Sequence, residues 1–173
     1  MSTPSLRELQ DPLRTRYRDD PEAARTSLHA RGDYRDPGVT CTVDGWAGPV
    51  RAGLHPATGG DGSDACSGDM LLEALLACSG VTLRSVATAM QVNVRSARLS
   101  VDGSFDARGT LGMDRQVPVG VHDIVVTADL DTDADAATLE RLARSTERYC
   151  VVAQSLRERV RFLVRRVSAG SMA

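Results

Sequence analysis

Four cysteines and three histidines are the side chains of this 173-residue chain that could support thiol or metal chemistry. The cysteines stand at positions 41, 66, 78 and 150, and the histidines at 29, 55 and 122. No two of them form a CxxC, HxxxH or HExxH motif, so the spacing gives no sign of a metal site. A zinc site made by His55, Cys66 and an acid is a weaker alternative, and we expect no metal.

The composition excludes several other kinds of chemistry. All 21 basic residues are arginine, and without lysine neither a Schiff base nor a lysine-containing phosphate loop can form. The GxSxG motif of a serine hydrolase does not occur. A net charge of −2 and an aromatic content of 3% give no indication of a nucleic-acid partner. Thiol redox chemistry is the class that remains.

The sequence also argues against a membrane-spanning or secreted protein. The charge-free run between Glu73 and Arg84 has ten residues, whereas a membrane span needs about 20. The N-terminal sequence MSTPSLRELQ lacks the apolar core of a signal peptide. Cysteines in such a chain are most simply cytosolic thiols, so we predict a cytoplasmic location and no membrane partner.

Cys78 lies in the middle of the most apolar segment, residues 69–90. Helix formers dominate its first half, and Asp69 is placed to cap its N-terminus. Because the predicted helix is apolar nearly all round, we expect a sheet on one side and another element, such as a second subunit, on the other. Taken alone, a cysteine in such a helix is most simply a small buried hydrophobe. If the sheet brings Cys150 close, the alternative is a peroxidatic and a resolving thiol.

The periodicity around this helix predicts one α+β domain over residues 36–173. Strands are expected at residues 39–44 and 50–55, with Asp44 and Gly45 in the turn between them. Further alternating strands are expected within residues 92–111 and 117–133, and a last strand at 160–167. A second helix over residues 134–148 is opened by Asp133 or Asp135, and a short helical piece is expected after Cys150, around residues 154–157. The predicted order is β-β-α-β-β-α-β with antiparallel hairpins.

Two further details of this prediction concern the N-terminal segment and the strand at 117–133. Residues 1–35 are expected to form a separate N-terminal helical extension, broken at Pro12 and Pro21. In the strand at 117–133 the inward face is expected to continue past an irregularity at residues 122–123. Its predicted members are Val117, Val119, Val121, Ile124, Val126, Ala128 and Leu130.

Four segments of the chain resemble the OsmC/Ohr family, the osmotically inducible and organic hydroperoxide resistance proteins. They are HPATGG, GDMLLEALLACSGVTLRSVATAM, GSFDARG and ERYCVVAQSL, and the similarity runs from about residue 39 to residue 167. The resemblance implies an OsmC-like fold, in which antiparallel sheets wrap around central helices in an intertwined homodimer. It places the active sites at the subunit interface.

The same resemblance implies a chemistry that needs no cofactor. Cys78 matches the peroxidatic cysteine and Cys150 the resolving cysteine of a thiol peroxidase that reduces organic hydroperoxides. An apolar pocket would favour alkyl and fatty-acyl hydroperoxides. A dithiol reductant, either a small molecule or protein-bound, would restore the two thiols.

Three positions differ from the pattern of the family. The glutamate expected ten residues before the reactive cysteine is Gly68 here, with Asp69 beside it. The proline expected after the second cysteine is Val151. The arginine that activates the thiol in the family has two candidates in this chain, Arg51 first and Arg148 second.

Three more residues are candidates for the site. Glu73 lies five positions before Cys78, about 140° around a helix, which favours an ion pair across the interface. His55 opens the glycine-rich loop, where we expect a hydrogen bond to the backbone rather than proton donation to substrate. Cys66 is expected to be a bystander thiol, with a third redox partner as the alternative.

Two other functions are weaker alternatives. The same fold could hold a small apolar or thiol-reactive ligand at the dimer interface without turning it over. A metal-dependent hydrolase ranks third.

Overall fold

The computed structural model describes residues 5–167. Within this range the structure contains five α-helices and seven β-strands, with short 3₁₀ turns at Pro21–Ala24 and Pro56–Thr58. In chain order the elements are α1 (Leu6–Asp19), β1 (Gly32–Asp33), β2 (Cys41–Gly45), β3 (Gly48–Gly53), β4 (Ala65–Cys66), α2 (Ser67–Ala89), β5 (Val94–Ser104), α3 (Ala107–Thr110), β6 (His122–Thr132), α4 (Ala136–Tyr149), α5 (Val151–Ser155) and β7 (Arg161–Arg166).

The C-terminal sheet consists of β5, β6 and β7, in that order. β5 and β6 are antiparallel, as predicted, but β7 lies parallel to β6, so the prediction of antiparallel hairpins is wrong for the last strand. The chain returns to the sheet through α4 and α5, and a helical crossover of this kind delivers a parallel strand. β6 alternates between buried and partly exposed residues, and its buried members include the predicted Ile124, Val126, Ala128 and Leu130.

The prediction that this strand begins at residue 117 is wrong. β6 begins only at His122, and Val119 is 65% exposed. Pro118 has no N–H to contribute to a sheet, and the carbonyls of Val117 and Pro118 lie against Gly109 instead. The predicted irregularity at residues 122–123 is confirmed, because Asp123 has a φ of 55° and the register with β5 shifts beside it.

α2 and α4 cover the inner face of the C-terminal sheet. α2 contacts β5, α4 contacts β7, and the two helices contact each other. α4 begins where Asp135 accepts a hydrogen bond of 2.8 Å from the N–H of Thr138, which confirms one of the two predicted caps. Two groups of buried apolar residues join these layers. One contains Leu75, Ile124, Val126, Cys150, Ala153 and Val160, and the other Leu83, Ala87, Ala128, Leu130, Leu139 and Leu142.

The N-terminal sheet consists of β1 to β4, in sequence order. β1, β2 and β3 are antiparallel neighbours, and β4 lies parallel to β3. Asp44 and Gly45 belong to β2, so the turn before β3 lies two residues later than predicted, at Trp46 and Ala47. Thr42 is the only buried residue of the four strands. Large apolar side chains in and around this sheet stay exposed, namely Tyr34, Val39, Trp46, Val50 and Leu54.

α1 runs through Pro12 without interruption, so the predicted break there is wrong. Ser5 and Glu8 cap each other's backbone N–H at its start, and these bonds help to offset the hydrogen bond that Pro12 cannot make. The second predicted break is confirmed, because α1 ends at Asp19 and a 3₁₀ turn starts at Pro21. None of the residues of α1 is buried.

α2 begins at Ser67, two residues before the predicted start. Cys66 is its N-cap residue and makes no capping hydrogen bond with its side chain, so the prediction that Asp69 caps the helix is wrong. By length and composition alone, α2 is the one helix among residues 5–167 that could cross a membrane. Core helices of globular proteins share these properties, and α2 packs against β5, α4 and α5.

The two sides of α2 have different surroundings. Leu75, Ser79, Leu83 and Ala87 are buried and recur at a spacing of four residues, so they share one side of the helix. The opposite side is exposed, and we call it the uncovered face of α2. It is formed by Glu73, Ala74, Ala77, Val81, Arg84 and Thr88.

Candidate active site

Cys78 lies on α2 at the boundary between the buried side and the uncovered face. Its side chain is half-buried and packs against the group of core residues that contains Leu75 and Cys150. Because the uncovered face begins beside it, Cys78 is positioned between the core of its own chain and any molecule that covers α2.

Cys150 lies at the junction of α4 and α5. Its N–H donates to the carbonyl of Thr146 in the last turn of α4, at 2.9 Å, and Cys150 is the N-cap residue of α5. The residue is 0% exposed, and its Sγ lies 3.6 Å from the hydroxyl oxygen of Ser79. The junction therefore holds the thiol in the interior, facing α2.

The thiols of Cys78 and Cys150 lie in one apolar group and shift each other's pKa, although they are 72 residues apart in the chain. Burial alone raises the pKa of the Cys78 thiol. Hydrogen bonds from the backbone N–H of Val152, the Cys150 thiol, the Thr82 hydroxyl and the N–H of Val151 lower it, and the net result is a pKa below the ordinary value. Hydrogen bonding to the charged form thus outweighs desolvation at this sulfur.

The start of α5 supplies two of these donors. Val151 and Val152 are the first two residues of α5, and the N–H groups of a first helical turn have no carbonyl partner within the helix. Here those N–H groups are directed to the Cys78 sulfur. A thiolate at this position is therefore stabilised by backbone of the segment that also carries Cys150.

Cys150 shows the opposite behaviour. Burial is the largest cause that raises the pKa of the Cys150 thiol, and its hydrogen bond and charge interaction with Cys78 act in the same direction. The N–H of Ala153 and the hydroxyl of Ser79 lower the pKa but do not reverse the shift. Of the two thiols, Cys78 is therefore the one that loses its proton at the lower pH.

The two arginine candidates lie elsewhere in the single chain. Arg51 lies on β3, where its guanidinium forms an ion pair with Asp64. Arg148 is exposed at the end of α4, with its guanidinium 5.7 Å from the ring centre of Tyr149. Neither arginine is among the groups that dominate the pKa of Cys78, which are backbone N–H groups, a thiol and a hydroxyl.

The remaining candidates are not brought to the thiol pair. His55 accepts a hydrogen bond of 3.0 Å from the N–H of Ala57, which confirms the predicted backbone contact, and its ring lies edge-on to Phe105. Asp69 and Glu73 are exposed on the first turns of α2. Cys66 is half-buried at the junction of β4 and α2. Within residues 5–167 no three His, Cys, Asp or Glu side chains are grouped so that they could hold a metal ion.

An apolar groove of about 400 Å³ opens between α2 and β5, over the group of buried residues that contains Leu83 and Leu130. It begins two residues after Cys78, and Cys78 is not itself one of its lining residues. Val81, which is 73% exposed, connects this groove to the uncovered face of α2. The lining residues are Gly80, Val81, Leu83, Arg84, Ala87, Val94, Ala97, Leu99 and Leu130.

Sequence reasoning missed several groups of the site. The N–H groups of Val151 and Val152 were not anticipated, because the helix after Cys150 was expected to begin near Gln154. Thr82 and Ser79 were missed as well. A signal existed, since Thr82 follows Cys78 by four residues and therefore lies on the same side of the helix.

The geometry is that of an α+β protein with two thiols in contact at the edge of a long central helix. The sequence profile of the OsmC-like protein family matches residues 60–165, which include both cysteines. The chain belongs to this family. No curated protein sequence matches the chain significantly.

Solved structures of OsmC-like proteins share the fold. An OsmC-like protein from Mycoplasma pneumoniae is 14% identical, with a TM-score of 0.66 over 82% of this chain and 98% of the other. An organic hydroperoxide resistance protein from Elizabethkingia anophelis is 11% identical, with a TM-score of 0.66 over 83% and 99%. An OsmC-like protein of unknown function from Vibrio cholerae is 13% identical, with a TM-score of 0.65 over 83% and 100%.

Proposed function

We propose that this protein is a thiol peroxidase that reduces organic hydroperoxides through Cys78 and Cys150. The observation that carries the proposal is the contact between the two thiols, whose pKa values are shifted in opposite directions. Peroxide reduction needs a thiolate as the nucleophile and a second thiol within reach. Relatives described as organic hydroperoxide resistance proteins support the choice of substrate.

In the first step the Cys78 thiolate attacks the terminal oxygen of the hydroperoxide. The O–O bond breaks, the sulfur becomes a sulfenic acid, and the departing alkoxide takes a proton to leave as the alcohol. The peroxide gains the two electrons that the sulfur loses. The lowered pKa of Cys78 favours this step because only the thiolate is reactive.

In the second step Cys150 attacks the Cys78 sulfur. A disulfide forms, the S–O bond breaks, and the hydroxyl leaves with the proton of Cys150 as water. An external dithiol, either a small molecule or protein-bound, then reduces the disulfide by thiol exchange. Such a cycle requires a reducing compartment, which supports the proposed cytoplasmic location.

We propose that the working form is a homodimer. The uncovered face of α2 carries an exposed apolar stretch of Ala74, Ala77 and Val81, and the N-terminal sheet buries only Thr42 within one chain. Exposed apolar surface of this extent is typical of a protein interface. A second copy that covers both surfaces would also close the apolar groove between α2 and β5, where we expect the carbon chain of an organic peroxide to bind.

Arg51 stays our first candidate for a cation that supports the thiolate of the partner copy. It lies on the N-terminal sheet, which one chain leaves uncovered, and Asp64 fixes its guanidinium. Arg148 is the second candidate for this cation, and Asp69, Glu73 and His55 remain candidates for the lining of the pocket. The division into an N-terminal extension over residues 1–35 and a domain over 36–173 also remains a proposal.

Intact-mass measurement tests the proposed function. Reduced protein treated with cumene hydroperoxide should lose two hydrogen atoms, and peptide mapping should locate the disulfide at Cys78 and Cys150. Cys150→Ser should instead gain one oxygen atom at Cys78. Cys66→Ser is the matched control and should still form the disulfide.

Slow oxidation spread over all four cysteines would contradict the proposal. It would favour the alternative in which the same fold binds an apolar ligand without chemical turnover.

A further inference from the structure

Ser79 is a buried hydroxyl that the proposed mechanism leaves without a role. It follows Cys78 on α2, is 0% exposed, and belongs to the buried side of the helix. Its Oγ lies 3.6 Å from the Sγ of Cys150. Ser79 therefore contacts the second thiol of the pair from the helix that carries the first.

The contact differs from that of two other helical hydroxyls in this protein. Thr88 and Ser155 donate to the carbonyl four residues earlier, at 2.8 Å in both cases. That backbone bond is the usual way for a serine or threonine to satisfy its hydroxyl within a helix. The hydroxyl of Ser79 is directed across the helix interface to a sulfur.

Thr146 provides a comparison in the same part of the core. Its side chain is 1% exposed, and its Oγ1 has no hydrogen-bond partner within the part of the chain that the structure describes. Thr146 and Ser79 line the same small internal space between α2, α4 and the C-terminal sheet. A buried hydroxyl is thus tolerated here without a partner, yet the neighbouring one contacts Cys150.

We propose that Ser79 is a positioning residue for the resolving thiol, with its hydroxyl donating a hydrogen bond to the Cys150 sulfur as that sulfur attacks Cys78. This inference rests on the proposed function and concerns its second step. Cys150 must lose a proton in surroundings that disfavour charge, and a donor at the sulfur stabilises the developing thiolate. The bond also directs the sulfur toward α2 and hence toward Cys78.

The direction of the pKa effects supports this role. Burial raises the pKa of the Cys150 thiol, and the Ser79 hydroxyl is one of the groups that lower it. Without the hydroxyl, a smaller fraction of Cys150 would be ionised at a given pH. A hydrogen bond to a charged group corresponds to about a tenfold change in rate.

A two-phase reaction with dithiobis-nitrobenzoate measures this step without peroxide. The experiment uses the full chain with Cys41→Ala and Cys66→Ala, at one equivalent of reagent. Cys78 displaces the first thionitrobenzoate and keeps the other as a mixed disulfide. Cys150 then attacks the Cys78 sulfur of this mixed disulfide, forms the Cys78–Cys150 disulfide and releases the second thionitrobenzoate.

Ser79→Ala should leave the first phase unchanged and slow the second about tenfold. The midpoint of the second phase against pH should move to higher pH, which a loss of packing alone would not cause. Ser79→Thr retains the hydroxyl and should restore the midpoint. Thr146→Val removes the matched buried hydroxyl and should change neither the rate nor the midpoint.

The proposal is overturned if Ser79→Ala retains the parent's second-phase rate and midpoint, or if Thr146→Val slows that phase equally. Thermal unfolding of each variant confirms that it is folded. Failure of the peroxidase function is a separate outcome, because it would appear as a parent protein that completes both phases but forms no disulfide with cumene hydroperoxide. A parent without a second phase would overturn both.

Discussion

The two sheets of this protein differ in how much of their surface a single chain covers. The C-terminal sheet lies under α2 and α4, and its alternate residues fill two groups of buried apolar side chains. The N-terminal sheet has a comparable number of strands but contributes Thr42 alone to the buried residues. Its larger contacts with the rest of the described chain are made through β4, which leads into α2, and the turn at Pro56–Thr58, between β3 and β4, touches α3.

The difference shows which surfaces a single chain covers by itself and which it leaves exposed. Both thiols of the candidate site belong to the covered region, and so do the N–H groups and hydroxyls that surround them. The N-terminal sheet carries Arg51 and exposed apolar side chains, which are features of a surface that another copy would cover. In the proposed function one chain assembles the thiol pair, whereas its enclosure would depend on a second copy.

The largest expected effect separates the thiols of the two regions. Cys78→Ser should lower the rate of cumene hydroperoxide consumption by about 10³-fold or more, because serine cannot act as the nucleophile. Cys66→Ser, at the end of the N-terminal sheet, should leave the rate unchanged. The measurement is peroxide consumption with a dithiol as reductant. Equal losses in both variants would break the assignment of the chemistry to the covered region.

A second pair of variants compares the stability contributed by the two regions. Leu142 is 0% exposed in α4, and Leu142→Ala should lower the free energy of unfolding by about 3 kcal/mol through the cavity it leaves. Val50 in β3 is 38% exposed, and Val50→Ala should cost less than about 0.5 kcal/mol in dilute protein.

Urea unfolding at several protein concentrations checks this pair. The cost of Val50→Ala should grow with concentration if a second copy covers the N-terminal sheet, because association stabilises the folded chain. A large cost that does not depend on concentration would show that this sheet has a core of its own.

The smallest expected effect is a shift in pH dependence within the covered region. Because the pKa of Cys78 is lowered, its thiolate persists to lower pH than that of an ordinary thiol. The rate of alkylation of Cys78 by iodoacetamide should therefore rise at a lower pH than it does for an ordinary thiol. Cys150→Ala removes one of the donors, so the alkylation curve should move to higher pH. The background variants Cys41→Ala and Cys66→Ala isolate Cys78. A curve that stays in place would contradict the role of Cys150 as a donor.

Local patterns in the sequence predicted the parts of the fold that local forces determine. The alternation of Ile124, Val126, Ala128 and Leu130 predicted the buried face of β6, and Asp135 predicted the start of α4. The parallel pairing of β7 could not be predicted in this way, since it depends on the path of α4 and α5 over the sheet. The prediction that Val119 belongs to the inward face of β6 was wrong, because neighbouring Pro118 prevents the segment from joining the strand.

The candidate site was only partly predictable, because it depends on how segments that are distant in the chain pack together. The predicted helices made a Cys78 and Cys150 pair only one alternative. The resemblance to a family made it the preferred prediction, because nothing in the spacing of the two residues implies contact. The groups that set the two pKa values are mostly backbone N–H at the start of α5, and their position depends on where that short helix begins. Ser79 has no distinguishing sequence feature until α4 and α5 are placed against α2.

The position of the two thiols has a consequence for the oxidised protein. A bond between Cys78 and Cys150 would close a ring of about 70 residues that contains the whole of β5, β6 and α4. A crosslink of this span restricts the unfolded chain and corresponds to about 4 kcal/mol in a chain-entropy estimate. The protein would then be hardest to unfold after it has consumed a peroxide, while it waits for its reductant.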